Sequence, residues 1–261
     1  METNPYTQNL NRLEFMMTLA CTGRCKHCSE GDHSSHGEHI DGDAAARAVR
    51  SAAGIRKIES LMTFGGEPLL YPDAVCKIHA AARDCGIPKR QLITNGYFTK
   101  DFQKMRDTAA ELIRSGVTDI LLSADAFHQE TIPLSAVRSF AETVKSVKYK
   151  GITIRVHPAW LVSEAAENPY NAKTREIIGV FAGMGIEASE GNIIFPDGNA
   201  LKYLKEYFDP NEKYESPYTE DPKDIRAVCV SPDGSVLGGN IYNTEMSELI
   251  EGYLPPAAHE V

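Results

Sequence analysis

Nowhere does this 261-residue chain approach the ~18 consecutive apolar residues of a membrane-spanning helix, so no membrane partner is expected. Positive charge is in deficit: Lys plus Arg number 27 against 36 for Asp plus Glu, a formal charge of −9. Proteins that hold nucleic acid neutralise phosphates with excess cationic side chains, so nucleic acid is not an expected partner either. No low-complexity tract or internal repeat stands out. The opening residues Met1 to Pro5 lack the basic end and apolar run of a secretory signal, which makes the cytoplasm the expected address. Cysteine is sparse, at six residues, and in a reducing compartment a disulfide framework is not expected. Cys76, Cys85 and Cys229 are scattered, but Cys21, Cys25 and Cys28 fall within eight residues. Clustered thiols in such a compartment point to metal.

What the sequence does contain is alternation. Apolar runs at 12–19, 60–64, 91–94, 119–123, 152–157 and 193–195 read as strands. Amphipathic stretches at about 41–54, 72–85, 100–115, 133–148 and 173–184 read as helices, with Asp41 or Asp43 as an N-cap and Gly54 as a stop. Strand alternating with helix implies an α/β fold with a mostly parallel sheet. Cys21, Gly65 to Glu67, Thr94 to Gly96, Ser123 to Asp125, His157 and 196–198 each follow a strand, and parallel architectures build sites at those ends. Beyond Asn199 the pattern degrades. Residues 227–242 read as a hairpin turning at Pro232-Asp233-Gly234. Residues 1–200 are the expected core, and 201–261 an extension packed on it.

The loop Cys21-Thr-Gly-Arg-Cys25-Lys-His-Cys28 spaces its thiols four and three residues apart, so one turn of chain can aim all three at one ion or cluster. Thiolates suit zinc or iron–sulfur iron. A structural zinc takes four ligands, and His27, His33, His36 or His39 is available as the fourth. A four-iron cluster on three thiolates would instead keep one iron open.

This CxxxCxxC loop after a first strand resembles the cluster loop of the radical S-adenosylmethionine (SAM) superfamily, although that family commonly has an aromatic residue where His27 stands. Thr63-Phe64-Gly65-Gly66-Glu67-Pro68 is similar to the family's GGEP segment, and Ile93 to Gly96 and Leu122 to Asp125 sit where members contact the cofactor. The resemblance spans about residues 12–200. It implies a partial (β/α)6 TIM-like barrel, a 4Fe–4S cluster on Cys21, Cys25 and Cys28, and bound SAM. It further implies reductive SAM cleavage and abstraction of a substrate hydrogen by a 5′-deoxyadenosyl radical. Oxygen sensitivity follows, as does a flavodoxin or ferredoxin as electron donor.

On that footing Gly65 and Gly66 admit close approach of backbone to the methionyl ammonium, and Glu67 holds either that ammonium or the strand end. Asp125 suits the ribose hydroxyls, with Thr94, Asn95 or Ser123 adding hydrogen bonds and His27 beside them. Arg155 offers a fork for the SAM carboxylate. His128 and His157 are candidate proton-moving groups near the cavity, or else structural hydrogen-bonders. The segment 30–40 is a candidate lid, and His33, His36 and His39 a candidate second metal site or a solvated loop.

The stretch from Cys229 resembles the start of the SPASM-type extension of peptide-modifying family members. It departs from that pattern because no cysteine follows Cys229. The expected substrate is therefore a peptide or peptide-derived molecule. The alternatives are a small metabolite, a partner enzyme on which a glycyl-radical-type activase installs a radical, and, from another class, a non-catalytic zinc or iron–sulfur protein. The chain ahead of Cys21 is short for a cobalamin-binding domain.

Overall fold

The computed structural model describes residues 3–31, 37–147, 151–214, 216 and 219–256. In β1 (Arg12–Met16) and β2 (Ser60–Phe64) every second residue is buried, as expected of strands whose two faces meet different surroundings. They join β3 (Lys89–Thr94), β4 (Asp119–Leu122) and β5 (Thr153–Val156) in an all-parallel sheet. Between them run α1 (Gly42–Ala53), α2 (Pro72–Asp84), α3 (Phe102–Ser115) and α4 (Leu134–Ser146). Asp41 caps α1 by accepting from the Ala44 N–H at 2.7 Å, and left-handed Gly116 closes α3. The helix-side core joins Leu13, Phe15, Leu61, Leu92, Ile120 and Leu122 of the strands to Val49, Ile78, Leu112 and Phe140 of the helices.

The sixth strand of this sheet is not the expected one. Strand order is β5-β4-β3-β2-β1-β8, where β8 (Ala227–Val230) comes from the tail and pairs in parallel with β1. The expected strand near 193–195 is β7 (Asn192–Ile194). It pairs instead with β6 (Ala159–Leu161) in a separate two-stranded sheet, which a bridge from Val156 to Ala188 links to β5. The two edges β5 and β8 stay apart, so the barrel is partial and open. The expected hairpin is shifted as well: residues 228–230 are drawn into the main sheet, and the tight pair is β9 (Ser235–Val236) with β10 (Gly239–Asn240).

The helix α5 (Pro169–Ala182) follows β6, α6 (Gly198–Tyr203) follows β7, and α7 (Met246–Gly252) ends the described chain. α7 is clamped to the N-terminal segment: Asn4 and Arg56 both bond Glu251, and Thr7 donates to the Ile250 carbonyl. No described helix is long and apolar enough to cross a membrane.

The sheet face away from the helices is polar and partly open. Arg12 bonds Glu14 on its own strand, Ser60 on β2 and Gln91 on β3, and Arg155 on β5 pairs with Asp119 on β4 at 2.9 Å. Cys229 is the register partner of Glu14 on that face.

Candidate functional site: a cysteine loop on converging strand ends

The loop after β1 carries Cys21 and Cys28, both half-buried, and Cys25, buried. It is held by backbone, which is why its sequence carries glycine on the side that receives it. The N–H groups of Gly66 and Glu67, past β2, donate to the carbonyls of Thr18 and Ala20 at 2.7 and 2.8 Å. A Cβ on Gly66 would lie 2.1 Å from the Ala20 oxygen, and Gly65 adopts φ +131°. Neither position tolerates a side chain. Both glycines bring the backbone close to the cysteine loop.

Glu67 is fully buried and holds the end of β3. It accepts from Thr94 Oγ1 at 2.7 Å, from the Asn95 N–H at 2.8 Å and from the Leu69 N–H at 2.9 Å. Burial pushes its carboxyl up to about 7 in spite of these bonds. Asn95 continues the chain of contacts to the cysteines: its Nδ2 donates to Thr22 Oγ1 at 3.0 Å and reaches Cys21 Sγ at 3.7 Å. The Ser123 N–H donates to the Thr94 carbonyl at 2.8 Å, which ties the end of β4 to that of β3.

Asp125, expected at the ribose, is fully buried and turned into the protein. Oδ1 accepts the N–H groups of Phe127 and His128, and Oδ2 accepts His128 Nδ1 at 2.7 Å and the Ala159 N–H at 3.0 Å. Those four donors fill the acceptor sites of a carboxylate. Burial opposes its ionisation, but His128 and these bonds win and hold the carboxyl well below its ordinary range. Arg155, expected at the SAM carboxylate, is engaged by Asp119 inside the sheet, while its Nε is buried without a partner. His157 Nδ1 lies 2.8 Å from Ser189 Oγ, and burial lowers the pKa of the ring. His27 is half-buried, its ring packed against Phe127 and His128 with Nδ1 buried and unpartnered, and desolvation pushes it down to about 4.

His39 forms a backbone bridge with Thr18, and its ring stacks on Tyr71 at 3.9 Å. His33 and His36, with the rest of residues 32–36 of the candidate lid at 30–40, lie outside the described residues. Cys76 is buried on α2 and Cys85 follows that helix, beside a cavity of about 720 Å³ at the opposite, N-terminal ends of β2 and β3.

One residue of the site had no sequence signal. Asn199, on α6, is 6% exposed; its Nδ2 donates to the carbonyls of Cys25 and Gly31 at 3.2 and 3.1 Å, and its N–H to that of Cys28 at 2.9 Å. Gly198 beside it leaves room for Ser29, whose oxygen a Cβ would approach to 2.2 Å. The cysteine loop is thus clasped from a segment some 170 residues later, which local pattern cannot show.

The donor set fits a thiophilic metal centre. Burial raises all three thiols, Cys21 to about 11, and the neighbouring cysteines raise Cys21 and Cys25 further. Three crowded thiols so disposed become thiolates when metal cations supply the compensating charge.

Comparison with known proteins agrees with this chemistry. The family model described as Radical SAM superfamily matches residues 15–154. Among curated proteins, the GTP 3′,8-cyclase of Desulforamulus reducens is 28% identical over 162 residues, 60% of this chain and 47% of that protein. The GTP 3′,8-cyclase of Chlorobaculum tepidum is 26% identical over 130 residues, 49% of this chain and 37% of that protein. The chain thus spans about half or less of the length of these relatives. Among solved structures, SuiB of Streptococcus suis bound to S-adenosylmethionine superposes with a TM-score of 0.58 at 14% identity, covering 94% of this chain and 66% of that one. The structure of anSMEcpe with bound AdoMet gives a TM-score of 0.57 at 17% identity, covering 93% and 80%. These structures share the partial barrel, and the superfamily they exemplify uses a 4Fe–4S cluster and SAM. The matched segment contains the cysteine loop and the ends of β1 to β4, and this chain belongs to the radical SAM superfamily.

Proposed function

We propose that this chain binds a 4Fe–4S cluster through Cys21, Cys25 and Cys28, cleaves SAM reductively and removes a hydrogen from a polar, peptide-derived substrate. The observation that carries the reading is the order of parts on consecutive strand ends: three thiols after β1, the Gly65-Gly66-Glu67 segment after β2, and Thr94-Asn95 after β3. Together the cluster and SAM supply one-electron cleavage and hydrogen-atom abstraction.

The chain's own groups position and enclose. Gly65, Gly66 and Glu67 fix the loop to β2 and β3, and Thr94, Asn95 and Ser123 present polar groups at the strand ends where SAM sits. Asp125, with its acceptor sites filled from within, is a positioning group in place of the ribose contact. Arg155 belongs with Asp119, Arg12, Glu14 and Gln91 to the polar face of the sheet. Charges of both signs there complement a molecule with both amino and carboxyl groups, as a peptide has. His157, held by Ser189, serves as a proton-moving group. A flavodoxin or ferredoxin in the cytoplasm is the electron donor. A small metabolite is the second reading, favoured by the likeness to the GTP 3′,8-cyclases.

The test is anaerobic reconstitution with iron and sulfide, followed by dithionite, SAM and an assay for 5′-deoxyadenosine. The wild-type chain is expected to hold about four irons with matching sulfide and to release the nucleoside, and Cys25→Ala to release none. One zinc with no sulfide, or cleavage at the wild-type rate in Cys25→Ala, overturns the reading.

A further inference from the structure

A run of packed rings joins the cysteine loop to a small surface cavity. His27 lies between Cys25 and Cys28, and one of its ring nitrogens is within 4.8 Å of Cys25 Sγ. The ring packs on Phe127, with centroids 5.1 Å apart. Phe127 is wholly buried and stacks on Tyr170 at 4.5 Å, their planes 12° apart. Tyr170 is half-buried and, with Gln129, Glu130, Pro169 and Lys173, lines a cavity of about 310 Å³.

The rim of this cavity is charged, in part by the cysteine loop itself. Lys26 reaches across to Glu130 at 3.0 Å, and its ammonium stands 6.0 Å from the centre of the Tyr170 ring. Lys173 is exposed and pairs with Glu176 at 2.7 Å. Arg24 is exposed; its guanidinium bonds the carbonyls of Cys21 and Gly23, and its backbone N–H bonds Thr131, next to Glu130. Lys26, Lys173 and Arg24 against Glu130 and Glu176 leave a positive excess here, on a chain whose formal charge is −9. Gln129 lines the same cavity, and both ends of its amide are buried without a partner. Leaving such groups unpaired is costly, so a polar group brought by a docking partner is rewarded.

We infer that this cavity and its rim are the docking surface of the one-electron donor, an acidic flavodoxin, and that Tyr170, Phe127 and His27 form a packed path from it to the cluster. The inference rests on the proposal that Cys21, Cys25 and Cys28 hold a 4Fe–4S cluster. Electron-transfer partners meet through small interfaces, below about 1,200 Å² in total, so a small cavity with a charged rim is enough. Opposite charge steers the encounter. In the transfer the flavin hydroquinone anion gives up one electron and becomes the neutral semiquinone. The bound cluster gains that electron, and no bond forms or breaks. None of the three rings changes oxidation state. Their close packing fills the interval with atoms, through which a tunnelling electron decays more slowly than across a void.

The experiment uses the reconstituted holoprotein, with iron and sulfide counted first. Anaerobic stopped-flow then follows loss of the cluster's visible absorbance after mixing with photoreduced flavodoxin or, separately, with dithionite. Failure to assemble a wild-type cluster would sink the functional proposal, whereas the rates test this inference on samples that hold one. Lys173→Glu is expected to raise the flavodoxin concentration for half-maximal rate about tenfold at low salt, with the difference shrinking at high salt. Tyr170→Ala is expected to lower the limiting rate at saturating flavodoxin severalfold. Dithionite needs no docking surface and is expected to reduce wild type and both variants at one rate, which a general structural defect would not allow. No reduction of the wild-type cluster by flavodoxin, wild-type behaviour of Lys173→Glu at low salt, or equal slowing of both reductants overturns the inference. A wild-type limiting rate in Tyr170→Ala overturns the ring path. Should Tyr170→Ala fail to hold a cluster, Lys173→Glu decides, because that side chain is exposed and paired only at the surface.

Discussion

Asn199 shows how much of the site depends on single side chains distant in sequence. Its amide donates to two carbonyls of the cysteine loop and is almost wholly buried, so Asn199→Ala leaves both acceptors without that donor. The expected loss is about 1–2 kcal/mol of stability, together with faster loss of iron from the reconstituted protein. Urea denaturation and iron retention after gel filtration check the two effects separately. Glu67 shows the opposite relation between sequence and role. The GGEP segment is legible in the sequence, and of the two roles open to Glu67 the structure shows it holding the strand end, with Thr94, Asn95 and Leu69 as donors. Asp125 and Arg155 are likewise legible as polar residues at or near strand ends. Their partners, the Ala159 N–H and Asp119, are 34 and 36 residues away, and spacing alone does not pair them.

At the scale of elements, hydrophobic alternation located β1 to β5 and the helices between them within a few residues, and Ser60–Phe64 is bounded as expected. The strands that were misplaced in the sheet are short and apolar on both sides. Val228 and Val230 of β8 are buried and could have completed a local hairpin, but the unpaired edge of β1 offers more backbone hydrogen bonds and a ready core. That competition is settled by tertiary contact. Val230→Asp places a charge at a fully buried position on β8 and is expected to cost about 3 kcal/mol or more. Cys229→Ser, on the open face of the same strand, is expected to stay within about 0.5 kcal/mol of wild type. Similar denaturant midpoints for the two variants would show that β8 contributes little to the sheet.

For the whole molecule, buried titratable groups set a pH dependence of the metal-free protein. His79 is fully buried, with Nε2 2.9 Å from Thr63 Oγ1, and burial foremost, then Arg90, pushes it down to about 3 from 6.5. His27 is pushed from 6.5 to about 4 by its own burial. Below pH 6.5 the unfolded chain protonates both rings and the folded chain does not, so their stabilisation is present above pH 6.5 and is lost as pH falls through these lowered values. Glu67 has the opposite sign. Raised from 4.5 to about 7, its contribution is full below pH 4.5 and is lost as pH rises through about 7. Two groups outweigh one between pH 4.5 and 6.5, so stability is expected to rise across that interval and to slip slightly just above it. Urea midpoints across this range check the profile, and His79→Phe is expected to flatten its acid limb.

The sequence by itself determined the alternation of strands and helices, the grouping of Cys21, Cys25 and Cys28 in one loop, and the placing of polar residues at strand ends, because period, residue type and spacing are local properties. Tertiary structure alone decided that the tail supplies the sixth strand, that Asn199 clasps the loop, and that Asp125 is buried between His128 and the Ala159 N–H. Those outcomes depend on which buried donors and acceptors meet after the chain has collapsed, and a buried polar group takes whatever partner the fold brings within reach, whatever its distance along the chain.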